Sequence, residues 1–259
     1  MCTLTWIHDA SEAVPSAGYR LWFNRDELRS RGPEEPPRLE VAPSGVRYIA
    51  PADSDAGGTW IAVNEVGITV ALLNGYRHPR GETREEWTSR GHLVRELAGI
   101  RSITEAWRRL APSRLSPFRP LVLAVLTPTQ PALIARWDGR DVSLDPRGER
   151  QLPVTSSSYE QSEVQVRRRA LFSDLVRTDP GSGVPVDADD LEAFQAWTPG
   201  AGPDAFSPSM SRPDAATRSQ CQVQVTAGEV AFRYTPGPPH ETAPNAPVLI
   251  PRCPGPRTR

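Results

Sequence analysis

Two periods of apolar positions alternate along the chain. Runs with every second position apolar mark half-buried strands, and runs with apolar positions three and four apart mark helices. Residues 2–8 (CTLTWIH) and 19–25 (YRLWFNR) read as strands, and residues 9–18 between them are rich in Asp, Ser, Pro and Gly. Together they predict an N-terminal β-hairpin. A turn centred near Val14 sets Cys2 across the ladder from Asp26 or Arg25, with room for a slip of one or two residues. Residues 28–45 are rich in proline and charge and read as an exposed loop. Residues 59–63 and 68–73 predict two strands around a tight Asn-Glu-Val-Gly turn, the second nearly continuous in apolar residues and so buried on both faces.

Residues 89–110 predict helix, with Ser89 as N-cap, Leu93, Leu97 and Ile100 at helical spacing, and a second helix over 102–110. Strand pairs are predicted over 121–127 with 132–137 and over 221–226 with 229–235, and a short strand over 151–155 ends in three serines. Helices are expected over 162–177, with Val164, Leu171 and Leu175 on one face, and over 189–197, with a loop at 178–188. One domain over residues 1–235 would be followed by a loosely packed, proline-rich tail, 236–259. Hairpins with helices inserted between them indicate an α+β sandwich rather than a parallel doubly wound sheet.

Composition narrows the chemistry. The net charge of −1 gives no electrostatic footprint for nucleic acid. No apolar run approaches a membrane span, and the N-terminus lacks the pattern of a signal peptide, so the cytoplasm is the expected compartment. All 30 basic residues are arginine. That excludes a lysine nucleophile, Schiff base or phosphate-loop lysine, and arginine is a poor base. The three cysteines, Cys2, Cys221 and Cys253, are widely spaced and suggest neither a zinc site nor a disulfide framework. No metal is expected.

Cys2 stands out by position. Loss of Met1 would leave one residue carrying both a thiol and an α-amino group, the latter with a pKa of about 7.7–8.0. Nucleophile and base would then lie on a single residue. Asn24-Arg25-Asp26-Glu27 falls opposite Cys2 in the hairpin. An arginine there favours thiolate, an aspartate favours the charged ammonium, and the two could instead neutralise each other. Asn74 ends a buried strand, where it suits either an Asn-Gly turn or an oxyanion hole. The four histidines fall in no metal or triad spacing, and the 167–169 arginine run suits a solvated helix face with one member turned inward. Residues 210–219 could line a site or form a loop.

Met1-Cys2, Asn24-Arg25-Asp26-Glu27, Gly58-Thr59-Trp60 with Asn64 and Gly67, Leu73-Asn74, Ser89-Arg90-Gly91 with Leu93, and Arg212, Asp214, Ala215, Thr217 and Ser219 occur in this order. The ordered set resembles the NRDE, or transport-and-Golgi-organisation, family. That family is similar in turn to N-terminal-nucleophile hydrolases of the choloylglycine hydrolase and penicillin V acylase type. The resemblance implies a four-layer αββα sandwich with Cys2 as nucleophile, Arg25 and Asp26 beside it, and Asn74 at the oxyanion position. Asn24, Glu27, Ser156 and an inward arginine, Arg168 or Arg169, are implied as binding residues. The second oxyanion asparagine of those hydrolases is replaced here by the serines at 156–158. The implied activity is hydrolysis or acyl transfer at a linear amide of a small molecule through an acyl-enzyme on Cys2. No cofactor is required. The alternative is a non-catalytic carrier of haem or an acyl-coenzyme A on the same fold. Oligomeric state is not indicated.

Overall fold

The computed structural model describes residues 2–9, 18–76, 87–176 and 187–253. The turn expected over 9–18 and the loop over 178–188, with its Gly181-Ser182-Gly183 run, fall largely outside these residues, as does His78.

The chain enters in β1 (Cys2–His8) and returns in β2 (Tyr19–Leu28), followed by β3 (Glu35–Val41), β4 (Arg47–Ala52), β5 (Ile61–Asn64) and β6 (Thr69–Asn74). Then come α1 (Arg90–Leu97), α2 (Ile103–Arg109) and the single turn α3 (Pro112–Leu115). Strands β7 (Leu121–Leu126), β8 (Leu133–Trp137), β9 (Val142–Asp145) and β10 (Val154–Ser156) precede α4 (Gln161–Leu175) and α5 (Ala188–Ala196). The chain closes with β11 (Ala215–Val225), β12 (Glu229–Thr235) and β13 (Val248–Pro251).

One six-stranded sheet runs β10-β1-β2-β11-β12-β13 and one seven-stranded sheet runs β3 to β9 in sequence order. Strand alternation makes the layers. Leu4, Trp6, Leu21 and Phe23 point inward from the first sheet, and Ile61, Val63, Ala71 and Leu73 from the second, forming the core between them. Val70 and Leu72 point the other way and pack under Leu93, Leu97 and Ala106 of α1 and α2. Trp22 packs under Phe172, Leu191 and Phe194 of α4 and α5. The result is an αββα sandwich, and the apolar run of β6 is buried on both faces because it serves two cores.

The 64–67 turn forms as the sequence indicates. Gly67 takes φ +90°, a conformation that a side chain would strain. Asn64 holds the turn: its Oδ1 accepts from the amides of Val66 and Ile68, and its Nδ2 donates to Ala98 O and Ile100 O after α1.

Several expectations change. Residues 35–41 form an edge strand, not a loop; Pro36 and Pro37 lie where the β3–β4 register shifts, and edges tolerate the missing donors. Strands β4 and β9 form without having been expected. β11 begins at Ala215, six residues early, because polar side chains at its start are buried with partners: Thr217 on Asp26, Ser219 on Glu34 and Gln220 on Asn24. Residues 248–251 are not loose tail but pair with β12 at the sheet edge. In α4 the buried positions are Val164, Arg168 and Phe172, with Leu171 and Leu175 only partly buried.

Candidate active site

A cavity of about 340 Å³ opens among β1, β2, β6, the 53–60 loop and the start of α1. Cys2 lines it at 6% exposure. In the sheet Cys2 lies opposite Arg25 on one side and Ser156 on the other. Directly opposed residues share a face, so these three side chains point toward the intersheet space.

The same alternation divides the Asn24–Glu27 run. Arg25 and Glu27 face the cavity side. Asn24 turns its side chain toward α5, and Asp26 turns its carboxylate toward α4 and β11 while still bordering the cavity. Asn24 donates to Gln195 O and Pro208 O and accepts from Gln220 Nε2, so it ties three segments together and does not line the cavity. Asp26 Oδ1 accepts from Thr217 Oγ1 at 2.7 Å, and its Oδ2 lies 3.6 Å from Arg168 Nη1. Arg168 is fully buried and also donates to Thr3 Oγ1 and to Phe206 O. Of the three arginines at 167–169, it is the one turned inward. Burial pushes the Asp26 carboxyl up and the Arg168 guanidinium down, while the charge of each opposes the other's shift.

Arg25 therefore does not pair with Asp26. Its guanidinium meets Glu34 at 2.5 Å, Glu27 at 3.3 Å and Asp53 at 3.8 Å, and lies 4.5 Å over the Trp60 ring. Burial would lower its pKa, but these carboxylates, Glu34 foremost, raise it on balance. Burial pushes the Cys2 thiol up to about 11 from 9.0; the Asp26 charge adds to this, while a hydrogen bond from the Asp26 backbone N–H and the Arg25 charge oppose it. At neutral pH the thiol is protonated and needs a base at the moment of attack.

Asn74 ends β6, half-buried, and lines the cavity. Its side chain is hydrogen-bonded to Tyr76, whose phenol is pushed up to about 12, chiefly by burial, with the Cys2 charge adding. Ser156 is 2% exposed and its Oγ has no hydrogen-bond partner among the described residues.

The glycines of two separated motifs meet here. A Cβ on Gly58 would lie 2.7 Å from the Gly91 Cα, and one on Gly91 would lie 2.7 Å from the Thr59 nitrogen. Thr59 N donates to Gly91 O at 3.3 Å. Only this backbone-to-backbone approach brings the start of α1 against the loop before β5 and closes the cavity wall.

Sequence reasoning missed Arg31, Glu34, Asp53, Tyr76 and Arg119. Glu34 and Arg31 lie in the stretch read as loop, where dense charge was the only signal. Tyr76 and Arg119 carried none.

The residues that converge on the cavity come mostly from the first half of the chain. A family model described as Transport and Golgi organisation 2 matches residues 1–130. The chain belongs to the Transport and Golgi organisation 2 family. Among solved structures, this member of the family is similar to a mutant of conjugated bile acid hydrolase from Clostridium perfringens, with TM-score 0.54 and 10% identity over 97% of this chain and 96% of that one. A second variant of that hydrolase gives 0.52 and 11% over 100% and 99%. Penicillin V acylase from Agrobacterium tumefaciens gives 0.49 and 16% over 90% and 82%. No curated protein matches. At these identities the likeness to the bile acid hydrolase is one of fold, that of the N-terminal-nucleophile hydrolases. No helix among the described residues is long and apolar enough to cross a membrane.

Proposed function

We propose that the protein is an N-terminal-cysteine amidase or acyltransferase acting on a linear amide of a small molecule. One observation carries this reading: Cys2, the residue that becomes the chain end once Met1 is lost, lines a cavity together with Arg25 and Asn74, with Ser156 opposite it on the neighbouring strand. The α-amino group takes the thiol proton as Sγ attacks the carbonyl carbon. Asn74 and the Ser156 hydroxyl hold the resulting oxyanion. The C–N bond breaks, the amine leaves with the proton, and a thioester on Cys2 remains. Water hydrolyses it to the free acid and restores the thiol; an amine in place of water gives acyl transfer. Arg25, fixed by its carboxylates and Trp60, keeps a positive charge beside the sulfur.

Protein freed of Met1 is expected to form a Cys2 thioester with a small activated acyl ester, read by intact mass and peptide mapping. A processed protein that takes up no acyl group would sink the proposal. A carrier of haem or an acyl-coenzyme A would bind its ligand without that adduct.

Ser156→Ala removes a hydroxyl that has no partner among the described residues, so stability should hardly change. Loss of an oxyanion donor should lower kcat on the order of 100-fold, and Ser156→Asn should restore part of it. An alanine variant as fast as wild type would exclude the serine as a donor.

A further inference from the structure

The charges lining the cavity divide into two walls. On the β2 wall every guanidinium is matched. Arg25 meets Glu27, Glu34 and Asp53, and Arg31 meets Asp53 at 2.6 Å and Asp55 at 3.2 Å. On the opposite wall, beside Asn74, stand Arg90 and Arg119. Among the described residues neither has a carboxylate at ion-pair distance. Arg90 Nη1 donates to Pro120 O at 2.9 Å, which anchors the guanidinium by a neutral acceptor. Arg119 is exposed, and its like charge joins burial in holding the Arg90 pKa down. The start of α1 adds to the same field: Ser89 makes no side-chain cap and the first turn holds no acid.

Two guanidinium groups on one wall of a ligand-sized cavity, with no carboxylate partner among the described residues, favour an anion beside them. Deepening the amidase reading on which it rests, we propose that the substrate carries an anionic group, carboxylate or phosphate, held by Arg90 and Arg119. The cavity of about 340 Å³ lies at the small end of ligand pockets, roughly 300–1,000 Å³. That suits a compact amide with one anionic end. The anion would sit on the Asn74 side, so the scissile carbonyl lies between it and Cys2.

Binding to the Cys2→Ala protein reads this without turnover. The probes are hippurate and its neutral amide, hippuramide, titrated by calorimetry at low and moderate salt. Hippurate is expected to bind roughly tenfold more tightly, with the preference weakening as salt rises. Arg119→Gln, at an exposed position, should remove most of the preference, Arg90→Gln should do the same, and Arg90→Lys should retain part of it. Acetate and inorganic phosphate as competitors show which anion the pair prefers; displacement by neither overturns the assignment. Equal affinity for the two probes, or a preference that survives both glutamine variants, also overturns it. Failure of wild-type protein to form a thioester would remove the amidase reading alone and leave the binding result standing.

Discussion

Cys2→Ala is expected to lower amide turnover roughly ten-thousandfold or more and to abolish the acyl-enzyme, while the protein stays folded. The sulfur sits at the edge of the intersheet core at 6% exposure. Its removal deletes one atom beside an existing cavity, so the stability loss should be about 1 kcal/mol. The rate loss is large because the attacking atom itself is gone, and nearby groups cannot substitute: Arg25 is no base, and Asp26 turns its carboxylate to Thr217 and Arg168. Cys2→Ser should retain the fold and lose most of the rate, since the hydroxyl is a far weaker nucleophile than a thiol. Protein that retains Met1 should be as inactive as Cys2→Ala, because its α-amine then belongs to another residue. Single-turnover assays on preparations checked by intact mass measure all three. Activity of Cys2→Ala within tenfold of wild type would remove Cys2 from the chemistry.

The second large effect concerns stability. Asp26→Ala should cost about 3–5 kcal/mol, a fall in Tm on the order of 10 °C for a domain of this size. The carboxylate and the Arg168 guanidinium face each other with both side chains fully buried. Deleting the acid leaves a buried cation whose remaining contacts, Thr3 Oγ1 and Phe206 O, are neutral. Arg168→Met combined with Asp26→Ala should recover most of the loss, because the uncompensated charge disappears with its partner. Urea denaturation of the two single variants and the double variant measures the coupling. A single Asp26→Ala costing less than about 1 kcal/mol would show that the pair is not an energetic unit.

The hairpin shows what can be read locally. Alternation in residues 2–8 and 19–25 predicted β1 and β2, and the symmetry of the hairpin placed Cys2 opposite Arg25 or Asp26. The observed partner is Arg25. That one-residue choice decides the site, since it sends Arg25 toward the cavity and Asp26 toward α4. Glu34 illustrates the opposite case. It closes on Arg25 from a stretch whose prolines and charges look like solvent-facing loop, and its burial depends on β11 and β2 lying side by side. The sequence expected one arginine of 167–169 to turn inward from a charged helix face, and the resemblance pointed to Arg168 or Arg169 without choosing between them. The burial of Arg168 follows from an acid on a strand that the helix crosses, which helical periodicity does not record.

The sequence alone determined the periods of the strands and helices, the β-rich layering that follows from them, and the place of Cys2 directly after Met1, where loss of Met1 would join thiol and amine on one residue. These are local properties, set by side-chain size, polarity and distance along the chain. Only the tertiary structure decided which charges are matched. Arg25 finds Glu34 and Asp53, Asp26 finds Arg168, and Arg90 and Arg119 find no carboxylate among the described residues. An ion pair forms across a few ångströms of space, and in this fold those ångströms separate residues as far apart as 26 and 168.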